Sequence, residues 1–147
     1  HEIWMQYAYR EAEKAYEKKE IPVGAVVVFE NRIIGKGHNQ VETLRDPTAH
    51  AEILVLRAAA AVLGNERLND CDLYVTLEPC PMCAGALVHA RVARLVFAAR
   101  EPRAGAVASN LSLLDAEFLN HRVAWTEGVC ADDAAQMMRD FFRRRRM

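Results

Sequence analysis

At 147 residues the chain is long enough for one domain, residues 1–147, with a full core, and 52% hydrophobic with 27% charged residues is ordinary for a soluble protein. A formal net charge of −1 argues against a general polyanion binder, so any nucleic-acid contact has to be local, and positive charge crowds at Arg143 to Arg146. The longest apolar run, Ile21 to Phe29, is far short of a membrane span and follows no signal-peptide pattern, which predicts a cytoplasmic protein; His1 in place of a starting Met is what a lost natural N-terminus would leave.

Residues 2 to 19 set Trp4, Ala8, Ala12 and Ala15 at helical spacing among Glu11, Glu13, Lys14 and Glu17, the pattern of an amphipathic helix. Val23 to Phe29 is a β-branched run suited to a strand buried on both faces, Glu30-Asn31 a tight turn, and Arg32 to Gly37 the returning strand of a hairpin. The polar stretch His38 to Asp46 reads as a loop. Asp46-Pro47 then reads as a cap and first helical residue, opening a helix with His50 and Glu52 in its first turn or so. That helix shows Ile53, Leu56, Ala60 and Leu63 on its apolar face and stops near Gly64. Asp72 to Thr76 is a third strand, feeding through Leu77 to Pro79 a helix that starts at the cysteines and runs to about His89. Arg94 to Phe97 is a fourth strand. A loop from Arg100 to Ser109, a short apolar stretch Leu111 to Leu114, a fifth strand Arg122 to Trp125 and a closing helix Cys130 to Arg146 complete the order. Strands alternating with helices predict an α/β layered fold with helices on both faces of a sheet.

Chemistry concentrates in two stretches, Asp46-Pro-Thr-Ala-His-Ala-Glu52 and Thr76-Leu-Glu-Pro-Cys-Pro-Met-Cys-Ala-Gly85. They supply an imidazole, two thiols and a spare carboxyl: His50, Cys80, Cys83 and Glu52. Three ligands with an open fourth position is the plan of a catalytic zinc site, whereas a structural site would add a further Cys or His at similar spacing. Cys80 and Cys83, three apart on the first turn of a helix, can grip one ion from one face, and a helix N-terminus favours the thiolate. Taken singly, a His near a helix start is more often a cap, and a C-x-x-C is often structural or redox-active. H-A-E together with P-C-P-M-C is the pattern of zinc deaminases acting on nucleobases. Two cysteines committed to a metal leave Cys71 and Cys130 as free thiols of a reducing compartment.

A wider set of strings carries a family likeness: Pro22-Val-Gly-Ala25, Asp46-Pro-Thr-Ala-His-Ala-Glu-Ile53, Leu73-Tyr-Val-Thr-Leu-Glu-Pro-Cys80, Met82-Cys-Ala-Gly-Ala86, Asn120-His-Arg-Val123 and Asp140-Phe-Phe-Arg143. In these blocks, which span nearly the whole chain in order, the sequence resembles the bacterial tRNA adenosine deaminases of the cytidine deaminase superfamily. The resemblance implies a three-layer α/β/α sandwich of cytidine-deaminase-like fold with a mixed five-stranded sheet, one zinc ion (Zn2+) per subunit and a homodimer. It also implies hydrolytic conversion of adenosine to inosine at the wobble position of a tRNA anticodon stem-loop. By the same likeness Asn39 of the G-x-N segment touches the target nucleoside, Val23 forms an apolar wall under the base and Ala51 supplies a backbone group beside the zinc. From the residues alone, Asn39 would be a turn residue and Val23 core. Arg103 stands where the family usually has Lys, an exchange that a phosphate contact tolerates, and Glu101 stands where Asp is common.

On these expectations zinc lowers the pKa of a water to about 7, and Glu52, which is not a ligand, moves the water proton to the ring as C6 of adenine is attacked. Phe141-Phe142 before the arginine run combines stacking surface with phosphate attraction, and helical spacing turns Phe141 inward and Phe142 with Arg145 toward RNA. Cations at a helix C-terminus are also favourable with no partner at all. Two rival functions stay open: a deaminase of free guanine- or cytosine-type bases or nucleosides, because the zinc motif does not name the ring, and a non-catalytic zinc and RNA-binding subunit, against which Glu52 speaks. A pocket of this kind redirected by engineering to single-stranded DNA is a further alternative.

Overall fold

The computed structural model describes residues 1–146; Met147, the last residue of the expected domain, lies outside them. In chain order the elements are α1 (Glu2–Glu17), β1 (Gly24–Phe29), β2 (Arg32–His38), α2 (Val41–Leu44), α3 (Ala51–Leu63), β3 (Asp72–Leu77), α4 (Pro81–Ala90), β4 (Arg94–Ala99), a 3-10 turn (Leu113–Asp115), β5 (Ala124–Glu127) and α5 (Ala131–Arg145). The strands form one mixed five-stranded sheet in the order β2-β1-β3-β4-β5. β1 is antiparallel to β2 and β3, while β3, β4 and β5 run parallel.

β1 is apolar along its length because both of its faces are covered. Ala25 and Val27 join Leu73, Val75, Leu95 and Phe97 in a core shared with α3 and α4, while Val26 and Val28 join Met5, Ala8, Tyr74 and Val96 in a second core shared with α1 and α5. The result is the expected α/β/α sandwich. The hairpin turns on Glu30 and Asn31, whose φ values of 50° and 61° give the doubly left-handed turn that suits strand twist. Ile34 bulges out between the pairs Val27↔Gly35 and Val28↔Ile33. Gly24 lets α1 lie directly on β1, since a Cβ there would overlap the Ala8 carbonyl oxygen and the Ala12 nitrogen.

Four local expectations are corrected. The stretch His38 to Asp46 is not all loop: it contains α2, held by the buried carboxylate of Glu20, which accepts the N–H groups of Thr43 (2.6 Å) and Glu42 (3.3 Å) and the Thr43 hydroxyl (2.7 Å). α3 starts at Ala51 instead of Pro47, because Asp46 Oδ1 turns back onto the Thr48 N–H (2.9 Å) and hydroxyl (2.7 Å). His50, with φ −71° and ψ 152°, is therefore the N-cap and not part of the first turn. The buried face of α3 is Val55, Leu56 and Ala59, with Ile53, Ala60 and Leu63 only partly covered. β5 begins at Ala124 and not at Arg122, in the register set by pairing Ala124 with Arg94. The end of α3 agrees with expectation, with Gly64 left-handed at φ 65°. All four cysteines are free thiols, and among the described residues no helix is long and apolar enough to cross a membrane.

Candidate active site

β3 delivers the chain to α4 through Leu77, Glu78, Pro79 and Cys80. Cys80 is the N-cap of α4, Pro81 takes the first helical position where its missing N–H costs nothing, and Cys83 sits within the opening turn. Opposite them, His50 caps α3 and Glu52 lies in its first turn. Two helix N-termini, one from each cap, thus bring together residues 30 and 33 positions apart. His50 Nδ1 is 3.6 Å from Cys80 Sγ and 3.5 Å from Cys83 Sγ. The ligand atoms of these three side chains all lie within 4.8 Å of one another, a cluster able to hold a metal ion.

The electrostatics of the cluster follow from its contacts. The hydrogen bond from Cys83 outweighs burial and, with that from His50, draws the Cys80 thiol down to about 4, while the same bond and burial push Cys83 up. Its hydrogen bond to Cys80 holds His50 above the usual imidazole value despite burial. Glu52 is 4% exposed, and burial pushes its carboxyl up to about 7. Thiolate character at a helix N-terminus is what a metal ligand requires, and a carboxyl titrating near neutrality is what proton transfer requires.

A cavity of about 400 Å³ opens beside the cluster, a size common for small-molecule sites. His50, Glu52 and Cys80 line it, with Val23, Ile21 and Leu77 as apolar wall and Asn39 as a polar member. Asn39 stitches the wall together: its N–H donates to the Val23 carbonyl (3.0 Å) and its Oδ1 accepts the Ala51 N–H (3.2 Å). Ala51 and Cys83 are fully buried and are not among the lining residues. From α5 come Met138, Phe142 and Arg145. Phe141 is turned inward, edge-on to Tyr16, whereas Phe142 is 39% exposed. Arg145 Nη2 reaches Glu42 Oε1 of α2 at 3.2 Å. Arg103 is solvent-exposed and outside the lining, with its N–H on Glu101 Oε1 at 2.8 Å.

Two buried carboxyls of the pocket went unnoticed in the sequence, Glu20 and Glu78, each about 2% exposed. In both, burial pushes the carboxyl up and hydrogen bonds more than reverse it, so both lie below the usual carboxylate range. Glu78 sits inside the E-P-C string, two residues before a thiol, which was the one available hint. Its partners lie 23 to 31 residues downstream, beyond any local pattern. Three buried carboxyls thus border one pocket, two held ionised and Glu52 poised to titrate, and such divergence marks functional sites.

A family model of MafB19-like deaminases matches residues 1–146, which defines the class of fold and site. A protein of Aquifex aeolicus named tRNA-specific adenosine deaminase is 46% identical over 145 residues, covering 99% of this chain and 95% of that one. A solved structure from work on A-to-I editing by tRNA:A34 deaminases at the wobble position of transfer RNA superposes with a TM-score of 0.89 at 42% identity, covering 92% of this chain and 98% of the other. The guanine deaminase of Nitrosomonas europaea is more distant, with a TM-score of 0.76, 28% identity, and coverage of 95% of this chain and 83% of its own. The chain belongs to this deaminase family and, within it, to the tRNA-specific adenosine deaminases.

Proposed function

We propose that residues 1–147 act as a single zinc-dependent deaminase domain that converts adenosine to inosine at the wobble position of a tRNA anticodon loop, in the cytoplasm. The observation that carries the chemistry is the convergence of His50, Cys80 and Cys83 beside a buried Glu52 in one pocket. The substrate reading is supported by matches over nearly the whole chain, 46% identity across 99% of it to a tRNA-specific adenosine deaminase, whereas a guanine deaminase of Bacillus subtilis is 44% identical but matches only 68% of this chain.

The three donors fit zinc. With Zn–N near 2.05 Å and Zn–S near 2.3 Å, a tetrahedral site has N···S edges of about 3.6 Å, and the two N···S separations here are 3.6 and 3.5 Å. Two thiols and an imidazole suit this ion better than Mg2+ or Ca2+. When bound, zinc supplies a water acidified to a pKa of about 7. Glu52 takes one proton from the attacking water and delivers it to a ring nitrogen as oxygen joins C6; it then takes the second proton from the new C6 hydroxyl and passes it to the C6 amine, so that the C6–N bond breaks, ammonia leaves and the C6 carbonyl of inosine forms. A carboxyl near pH 7 can do both. Val23 provides an apolar wall for the base. Asn39 holds the nucleoside with its amide group while its carbonyl keeps Ala51 in place beside His50.

The flanking RNA lies against Phe142 and Arg145, where an aromatic face and a guanidinium border the pocket. Arg103, outside the lining, meets a phosphate further along. Homodimerisation belongs to the same proposal, and the exposed Val62, Leu111 and Phe118 offer apolar surface for it. The test is deamination by the zinc-loaded protein of an anticodon stem-loop bearing wobble adenosine, beside free adenosine, cytidine and guanine. Inosine in the stem-loop alone is the expected result; turnover of a free base with an inert stem-loop overturns the substrate.

A further inference from the structure

Between the end of β4 at Ala99 and the 3-10 turn at Leu113 the chain has no ladder or helix to fix its path. Yet this segment gives Glu101 and Ala104 to the pocket, and Gly105, Ala106 and Val107 are buried. Backbone N–H groups withdrawn from water need acceptors, and along this segment one side chain accepts four of them. Glu78 Oε1 accepts the Glu101 N–H at 3.0 Å and the Ser109 hydroxyl. Glu78 Oε2 accepts the N–H groups of Val107 (3.0 Å), Ala108 (2.8 Å) and Ser109 (2.9 Å). Gly105 makes room for this cradle: its φ is not left-handed, but a Cβ would collide with the Glu78 carboxyl and the Glu101 carbonyl. The main chain adds ties of its own, from the Ala106 N–H to the Pro79 carbonyl at 2.9 Å and, within the loop, from the Gly105 N–H to the Glu101 carbonyl at 2.8 Å and the Asn110 N–H to the Gly105 carbonyl at 3.1 Å.

We infer that Glu78 is a positioning residue: its carboxylate fixes the loop 101–109 as one wall of the pocket and thereby sets how tightly the substrate is held, without touching the reacting atoms. This rests on the deaminase function proposed above. A role in proton transfer is closed to Glu78 because both of its oxygens are already filled by donors from the loop. Glu52 shows the contrasting case, a buried carboxyl with no such cradle. Because the same Glu78 stands at the exit of β3, directly before the turn into α4, the wall and the metal-ligand helix share one anchor.

The experiment compares wild type, Glu78→Gln, Gly105→Ala and the double variant, all zinc-loaded. Stem-loop deamination, zinc per chain and amide hydrogen exchange of residues 101–109 are measured for each. An amide offers only one acceptor oxygen, so Glu78→Gln leaves loop N–H groups facing an NH2 group. The expected result is a KM for the stem-loop raised tenfold or more, kcat changed less than threefold, zinc retained, and faster exchange confined to the loop. Gly105→Ala attacks the same contact from the loop side and gives the same KM-against-kcat split. The double variant is then no worse than the poorer single one, as expected when two changes break one contact.

A fall in kcat with KM intact, loss of zinc, additive effects of the two changes, or a loosened loop with unchanged KM would each overturn the assignment. If Glu78→Gln does not fold, Gly105→Ala decides by the same readouts. The exchange measurement needs no RNA. An inert wild type therefore refutes the proposed substrate, while unchanged loop exchange in Glu78→Gln refutes the anchor itself.

Discussion

Replacing Glu52 by Gln changes one charge at the centre of the pocket, and its consequences can be worked out before any assay. Burial carries the Glu52 carboxyl from an ordinary 4.5 to about 7. At about 1.4 kcal/mol per pH unit, that difference corresponds to roughly 3 kcal/mol between the two protonation states. The folded-state value lies above the unfolded one, so the folded protein holds the proton longer. Below about pH 4.5 the group is neutral in both states and costs nothing. Between 4.5 and 7 the unfolded chain ionises while the folded one does not, and stability falls as pH rises. Above 7 the full cost is present.

Glu52→Gln removes that dependence. In the metal-free protein the stability difference between variant and wild type should shift in favour of the variant by roughly 3 kcal/mol between pH 4 and pH 8. Urea denaturation across the pH series measures it. In the zinc-loaded protein the same change should lower kcat by about 100- to 10,000-fold, the usual worth of a positioned proton carrier, while zinc content stays unchanged. A stability difference of equal size at both pH values would refute the account of the buried carboxyl. A variant with more than about a tenth of wild-type kcat would refute its role.

Cys83→Ser should cut zinc affinity by at least tenfold, read by competition with a chromogenic chelator, and unchanged affinity would remove Cys83 from the ligand set. Asn39→Ala leaves the fully buried Ala51 N–H without its acceptor and should cost about 2 kcal/mol in urea denaturation. Gly24→Ala drives a methyl group into the backbone of α1 and should destabilise by about 2 kcal/mol or more; a neutral result would mean that α1 can shift away from β1. Arg145→Ala should weaken stem-loop binding and reduce the slope of log affinity against log salt by about 1, and an untouched slope would exclude a phosphate contact.

What the sequence could disclose depended on how local the cause was. β1 was legible because six consecutive residues face two cores, and α4 because Pro81 and the spaced thiols announce a helix start. α2 was not, since Val41 to Leu44 owe their turn to Glu20, a residue 22 and 23 positions away from the amides it caps. Asp46-Pro47 misled because the Asp side chain can close a turn on Thr48 as readily as cap a helix, and nothing nearby decides between them. The members of the site were readable as a motif, but their meeting was not. That His50 presents Nδ1 to both sulfurs, and that the Ala51 N–H is already engaged by Asn39, are consequences of where α3 crosses α4.

The pocket draws its wall from both ends of the chain, and that has a bearing on the order in which the protein comes off the ribosome. The lining residues Val23, Asn39, His50, Glu52 and Cys80, and the buried Cys83, are all made before β5 and α5, and Met138, Phe142 and Arg145 emerge last among the lining residues. At about 5–20 residues per second, synthesis takes on the order of several seconds to pass from Cys83 to Arg145. During that interval a nascent chain carries the complete ligand trio but lacks the side on which Phe142 and Arg145 stand. Metal capture can therefore precede completion of the substrate site, and ribosomes stalled before α5 should display chains that take up zinc and leave RNA unprocessed.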